Sequence, residues 1–310
     1  MPELTKVALP LLPESCRARL LNHYGPGISG WLAAIPAAMT NAGHQWNLIP
    51  TEYHDAGHAS VLVVAESGGG ERVLLKGWPD PERCVREVAA LRLWSDLPTA
   101  RVREVDEERS IAALSLVGGR PGGGRRGSDD IRQVAGVIQA AHDRGRALEE
   151  QPGFPELSSY LDEEVRPRVA HRMKSLAPIV PGPLLRAGWR ALESLTQAGH
   201  RRTVLHGDLY RENTACDGHG RPHLLDPLPM YGDAAYDWAF WTVYYRLGQG
   251  TEERLALASR VSGIGCTVLR SWSLALCLHG LLYYREVTDS RYPTMERVMH
   301  SILPSREDAP

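Results

Sequence analysis

The side chains of this chain with the clearest chemical capacity lie close together in VLHGDLYRENTACDGHGRPHLLDPLPMYGDAAYDWA, residues 204–239. His206, Asp208, Asn213, Asp226, Asp233 and Asp237 sit there among apolar residues. A carboxylate near a core is costly unless something pairs with it, so these acids call for a ligand or a structural partner. Within HGDLYREN, Asp208 and Asn213 are five positions apart. Phosphoryl transfer uses a carboxylate that orients the attacking hydroxyl and accepts its proton. It also uses hard oxygen ligands for the Mg2+ ions that bridge the phosphates. An H-x-D-x-x-x-x-N loop supplies both, here Asp208 as base and Asn213 as metal ligand. A second metal carboxylate is expected soon after, beyond a hairpin, and Asp226 stands 13 residues past Asn213 at the end of the apolar run HLLD. A polar loop with Asn and Asp as turn caps accounts for HGDLYREN alone; it gives no reason for Asp226 to follow at that place.

The same chemistry needs a lysine on the third strand of a nucleotide-binding sheet and a glutamate on the next helix to hold it. The chain has three lysines, Lys6, Lys76 and Lys174, so the other 32 of its 35 basic residues are arginine. Where arginine has replaced lysine almost throughout, a retained lysine marks a place for a compact ammonium. Lys76 lies in RVLLKGW, the third strand in chain order, and Glu87 follows 11 residues later. The plainer reading is a surface lysine on a half-exposed strand. Glu82 is a rival partner; Glu87 is preferred because a residue in the middle of a helix can face the sheet.

The elements that must hold these residues follow from periodicity. Residues 14–43 read as two helices ending at Gly25 and Gly43, with Pro36 kinking the second. WNLIP (46–50), SVLVVAE (60–66) and RVLLKGW (72–78) read as strands, with SGGG (67–70) as a hairpin turn. Residues 80–97 read as a helix capped by Asp80 with Pro81 at its first position, its apolar stripe being Val85, Val88, Leu91 and Trp94. ARVREVD and SIAALSLV add two strands. Beyond the glycine-rich 118–127, helices are expected near 128–145, 156–176, 183–198, 251–262, 268–287 and 291–303. Short strands near 214–217 and 222–226 flank the Asp217-Gly218 turn. The expected organisation is α+β: a β-rich N-terminal lobe over 1–117, with helices at 14–43 and then a five-stranded sheet plus one helix, a hinge or linker over 118–127, and a helical C-terminal lobe over 128–310.

Composition sets outer limits. The chain has 310 residues, 43% hydrophobic and 23% charged, with a formal net charge of −2. That balance gives no footing for nucleic acid or an anionic membrane as partner. No apolar run approaches the ~18 residues of a membrane span, and VALPLL near the N-terminus lacks the cleavage site of a signal peptide. The five cysteines, an odd number without metal or redox spacing, read as buried thiols in a reducing cytoplasm.

LHGDLYREN, LLDP and GDAAYDWA, taken together, resemble the aminoglycoside phosphotransferase family, antibiotic kinases with a two-lobed protein-kinase-like fold. LLDPLPMYGDAAYDWA is most similar to the streptomycin 6-kinase branch, and GWLAAIPAAM and VREVAALRLW carry a looser likeness to it, so the resemblance reaches from about residue 30 to 245. It implies that Asp208 is the catalytic aspartate, that Asn213 and Asp226 hold Mg2+, and that Lys76 with Glu87 positions the phosphates of ATP or GTP. It places the adenine contacts on the backbone of Ser115 and Val117 in LSLVGG. It also implies that Asp233 and Asp237 brace the catalytic loop, and His206 is read as bracing it too. The acceptor it implies is a hydroxyl of a small-molecule antibiotic, first an aminoglycoside such as streptomycin. A nucleoside or peptide antibiotic or a small metabolite is the alternative, and a pseudokinase that binds nucleotide or drug is a remote one. The connection TEYHDAGHA departs from a G-x-G-x-x-G phosphate loop, while LLDP in place of D-F-G and the lack of A-P-E argue against a protein kinase.

Other features are weaker. Gly122, Gly124 and Gly127 spell G-x-G-x-x-G, with Asp143 about 20 residues on; IRQVAGVIQAAHDRG nevertheless reads as one helix, capped by Ser128 or Asp129, rather than a second parallel strand. His54 and His58 lie in a turn, and His219 and His223 are expected to be solvated. FWTVYY (240–245) offers an aromatic wall for a substrate. Glu149–Glu150 and Asp162–Glu163–Glu164 would suit a cationic substrate, although such runs are more often solvated helix faces.

Overall fold

The structure, a computed structural model, describes residues 8–54, 57–123, 129–148, 153–176, 179–195 and 201–303. They form two compact units, residues 1–121 and 122–310.

In the first unit, helices α1 (Glu14–Tyr24) and α2 (Ser29–Gln45) precede strands β1 (Leu48–Tyr53), β2 (Val61–Ser67) and β3 (Arg72–Gly77). Helix α3 (Pro81–Leu93) and strands β4 (Val102–Asp106) and β5 (Ile111–Ser115) complete it. The sheet is antiparallel in the order β1-β2-β3-β5-β4. Alternation along the strands sends Val61, Val63, Val73, Leu75, Ile111 and Ala113 into one core with Leu20, Leu32, Ile35 and Met39 of α1 and α2. Lys76, in register with Leu62 and Ala112, falls on the opposite parity and so on the other face.

Two expectations change here. Helix α2 continues through Gly43 to Gln45, because Gly43 is a close-approach residue rather than a stop: a Cβ there would lie 2.8 Å from Pro50 Cγ. The stop comes at Asn47, whose φ of 55° is left-handed. In α3, Asp80 caps the first turn through the N–H groups of Glu82 and Arg83, but Val85 is 55% exposed and the buried stripe is Cys84, Glu87, Val88 and Leu91.

The second unit is mostly helical: α4 (Asp130–Arg146), α5 (Leu157–Tyr160), α6 (Arg166–Leu176), α7 (Gly182–Ser194), α8 (Ala235–Tyr244), α9 (Thr251–Ser262), α10 (Cys266–Glu286) and α11 (Tyr292–Ile302). A π-helical turn, Leu161–Val165, joins α5 to α6, so the single helix expected over 156–176 is interrupted. Two antiparallel pairs stand among the helices. Strand β6 (Arg202–Leu205) pairs with β9 (Met230–Asp233), and β7 (Thr214–Cys216) with β8 (Pro222–Leu224).

Neither the β6–β9 pair nor α8 was expected. All ten residues of α8 are buried, and a helix that is apolar on every side shows no 3.6-residue period. Helix α4 crosses β6 closely at Gly145, where a Cβ would meet Val204 N at 2.6 Å. Cysteines 16, 84 and 277 are buried as expected; Cys216 is half-buried and Cys266, at the start of α10, is exposed.

Candidate active site

In the first unit, Lys76 Nζ donates to Glu87 Oε1 at 2.5 Å, and the two residues are 2% and 1% exposed. Glu87 Oε2 accepts from Trp78 Nε1 at 2.9 Å, and the Lys76 ammonium lies 5.1 Å from the Trp78 ring centroid. Glu87 is therefore held at both oxygens by residues of β3 and its exit, which fixes the ammonium in a dry setting where its charge is least screened. Glu82 instead pairs with Arg86 on the exposed face of α3. Sequence reasoning passed over Trp78, although an indole two residues past Lys76 is in reach of the same helix. Ser115 ends β5 with its N–H on the Arg101 carbonyl (2.8 Å) and its hydroxyl accepting from the Arg101 N–H (2.7 Å), and Val117 beyond it is half-buried.

In the second unit, the chain leaves β6 into His206-Gly207-Asp208. Gly207 has φ 79°, and a Cβ there would lie 2.0 Å from the Leu228 carbonyl oxygen, so only glycine fits. A 3-10 turn, Arg211–Asn213, folds the loop back, and Asn213 Nδ2 donates to the Asp208 carbonyl (2.8 Å) and to Asp208 Oδ2 (2.7 Å). The Leu225 N–H donates to the Asn213 carbonyl (2.9 Å), extending the β7–β8 ladder by one step, and Asp226 follows at once. Asp226 has φ 53°, left-handed in a residue type that tolerates it better than most.

The loop is gripped from beneath by Asp237 of α8. Its Oδ2 accepts from the His206 N–H (2.7 Å) and its Oδ1 from the Gly207 N–H (2.9 Å), and the residue is 0% exposed. The same Oδ2 lies 2.9 Å from His142 Nε2 of α4, which is also buried. A fully buried carboxylate is thus satisfied by two backbone donors and an imidazole. Asp233 caps α8 by accepting the Ala235 N–H at 2.9 Å. His206 Nε2 lies 3.0 Å from the Leu225 carbonyl and its Nδ1 3.4 Å from the Asp208 N–H. A carbonyl can only accept and an amide N–H only donate, so the ring carries its proton on Nε2. Burial lowers the His206 pKa and agrees with this neutral form. His206 thereby links the Asp208 loop to the residue before Asp226. His142 was missed in the sequence; its signal was a histidine on the buried stripe of α4, beside Ile138 and Ala141.

Asp208 lines a pocket within this unit of about 170 Å3. The π-helical turn and its neighbour Tyr160 form one wall; Tyr236 and Phe240 of α8 with Trp272, Leu276 and His279 of α10 form another. π-turns are often found at functional sites. Of FWTVYY, Phe240 and Tyr244 reach this pocket while Trp241 is fully buried elsewhere.

The remaining candidates fall away from this site. Asp143 is on the exposed face of α4 with Gln139 and Arg146, and Gly124 and Gly127 lie outside the described residues, as do Glu149 and Glu150. Asp162, Glu163 and Glu164 are exposed, Asp162 paired with Arg166 and Glu164 with Arg168. His219 is exposed, but His223 is half-buried with its Nε2 3.3 Å from Asp217 Oδ2, not solvated as expected.

A fructosamine kinase family profile matches residues 187–251, the window that holds Asp208, Asn213, Asp226, Asp233 and Asp237. The streptomycin 6-kinase of Streptomyces griseus is 28% identical over 209 residues, 67% of this chain and 66% of that protein. The chain is thus similar in sequence to streptomycin 6-kinases and, over residues 187–251, to fructosamine kinases. Two solved structures show that its fold is the two-lobed α+β fold of kinase-like phosphotransferases. The macrolide 2'-phosphotransferase of Brachybacterium faecium aligns with a TM-score of 0.57 at 16% identity over 88% of this chain and 99% of its own. An amicoumacin kinase solved with AMP-PNP and Ca2+ aligns with a TM-score of 0.56 at 11% identity over 94% of each chain. The sequence match to the Streptomyces griseus relative spans just under two thirds of that protein's length.

Proposed function

We propose that this chain transfers the terminal phosphoryl group of ATP or GTP to a hydroxyl of a small-molecule antibiotic. The observation that carries this reading is the presentation of Asp208: a loop pinned by the buried Asp237 carries it to the wall of a pocket, with Asn213 Nδ2 fixed on its Oδ2 at 2.7 Å. In this reading Asp208 is the catalytic residue that orients the acceptor hydroxyl and accepts its proton. Lys76, held by Glu87, neutralises charge on the nucleotide phosphates. The backbone carbonyl of Ser115 and the N–H of Val117 meet adenine; the Ser115 N–H, engaged by Arg101, does not take part.

Asn213 and Asp226 fit Mg2+. Both bring hard oxygen donors, and the Leu225–Asn213 hydrogen bond keeps their chain positions adjacent. Among the described residues no three His, Cys, Asp or Glu side chains converge, which suits a metal shared with phosphate oxygens and water rather than caged by protein. When bound, Mg2+ neutralises charge on the phosphates. His206, Asp233 and Asp237 hold the loop in shape. No described helix is long and apolar enough to cross a membrane, and we place the enzyme in the cytoplasm with its nucleotide.

The relatives make streptomycin the first acceptor to try. ADP release is measured across streptomycin, other aminoglycosides, nucleoside and peptide antibiotics. Asp208→Ala is expected to lower kcat by roughly 10^3-fold or more with nucleotide binding retained. Activity of the variant within about tenfold of wild type would refute the mechanism.

A further inference from the structure

The walls of the pocket beside Asp208 describe its occupant. We infer that the hydroxyl-bearing part of the acceptor is an uncharged ring with an apolar face, rather than a ring carrying guanidinium or ammonium groups. This rests on the kinase reading above and narrows its acceptor class.

The first reason is the shape of the wall. Tyr236 meets Trp272 edge-on (ring centroids 5.8 Å apart), and Phe240 packs on Tyr210 edge-on at 4.9 Å. These contacts lock the rings, so they offer a rigid apolar surface to a flat ligand face. The second reason is the hydroxyls around it. Burial, reinforced by the Asp208 carboxylate, raises the pKa of the lining residues Tyr160 and Tyr236. Both stay protonated and serve as neutral hydrogen-bond partners for a ring's polar rim.

The third reason is His279. Its Nε2 is buried at the pocket with no hydrogen-bond partner, and an orphaned buried polar atom is expected to find one in a ligand. Burial, then Arg172 and Arg168, pushes its pKa down to about 4. The ring is uncharged at neutral pH, and the formal charges it feels most are positive, though Arg172 is paired with Glu286 and Arg168 with Glu164. A guanidinium entering here would give up its water. Among the described lining residues it would meet one carboxylate, Asp208, which the acceptor hydroxyl needs. The acidic run Asp162–Glu163–Glu164 lies exposed, two of its three members already paired. Aromatic walls also attract quaternary ammonium, so choline is the stringent cationic control.

The test is calorimetric binding to the full chain without nucleotide, using chloramphenicol and 4-nitrophenyl β-glucoside as neutral probes and streptomycin and choline as cations. At least one neutral probe is expected to bind about tenfold or more tighter than either cation. Leu276→Glu puts a carboxylate on the half-buried wall and is expected to tighten streptomycin about tenfold and weaken the neutral probe; the same-sized Leu276→Gln should do neither. His279→Ala should weaken the neutral probe roughly fivefold or more. Wild-type binding of streptomycin or choline as tight as the neutral probes, or binding of none of the four, overturns the inference. Failure of the kinase reading would appear separately, as absence of Mg-ATP binding and of ADP release with every acceptor.

Discussion

Replacing Asp237 by asparagine removes one oxygen from a fully buried carboxylate that accepts the His206 N–H at 2.7 Å, the Gly207 N–H at 2.9 Å and lies 2.9 Å from His142 Nε2. The best placement of the amide keeps its oxygen where Oδ2 stood, facing His206 and His142, and turns its NH2 toward the Gly207 N–H. One bond is then lost with two donors face to face, and two change from a charged to a neutral acceptor. A hydrogen bond to a charged group contributes about 1.5–3 kcal/mol and a neutral one about 1, and a buried group left unmade costs about 1–3. Together the change costs about 3–5 kcal/mol. For a unit of this size each kcal/mol moves Tm by about 2–4 °C, so calorimetry should show its unfolding about 10 °C lower. Because the loop that carries Asp208 loosens, kcat in an ADP-release assay should fall about a hundredfold, while KM for nucleotide stays within about threefold. An Asp237→Asn enzyme with Tm within about 2 °C and kcat within about twofold of wild type would show that the grip on the loop is not what positions the aspartate.

Three further outcomes are expected. Gly207→Ala combines a left-handed φ of 79° with a Cβ 2.0 Å from a backbone oxygen, so the variant should lose soluble yield or unfold at markedly lower temperature; a normally stable, active variant would contradict this. Glu87→Gln should raise KM for nucleotide about tenfold or more by loosening Lys76, and Lys76→Arg should fail to substitute in so dry a pocket; wild-type nucleotide kinetics in either would count against the assignment. Stability should fall as pH drops from about 6.5 toward 4, because the unfolded chain protonates His279 near 6.5 while the folded one resists until about 4. Burial of His206 acts in the same direction. His279→Leu should flatten part of that slope in a Tm series, and an unchanged slope would remove His279 from the account.

The Asp208–Asn213 contact lies within one short loop, and the β7–β8 hairpin sets Leu225, next to Asp226, against Asn213, so local spacing made these neighbours readable. Glu87 was readable from its distance along the chain to Lys76, and Val88, Leu91 and Trp94 of the expected α3 stripe are buried, while Val85 is exposed. Glu87 was expected to face the sheet and does; Cys84 takes the buried place given to Val85. The π-helical turn has no local signature in LDEEV; its Leu161 and Val165 are buried and line the pocket. The β6–β9 pair joins Arg202 to Asp233 through strands of four residues, each buried on nearly every side, so neither alternation nor length marked them. His142 meets Asp237 across 95 residues of sequence, a contact that only the fold creates.

Asp226 sits at a position with two unrelated demands. The backbone there, at φ 53°, is one that glycine, asparagine and aspartate adopt with least strain. The chemistry proposed for it needs a full negative charge. Glycine would meet the first demand alone, glutamate the second alone, and asparagine the first with a neutral oxygen donor in place of the charge. This site therefore has almost no neutral alternatives, whereas the half-buried Leu276 on the pocket wall carries no such double demand. In the proposed kinase reading, a change of acceptor would come from rebuilding that wall around a fixed residue, and a design to redirect the activity should begin there.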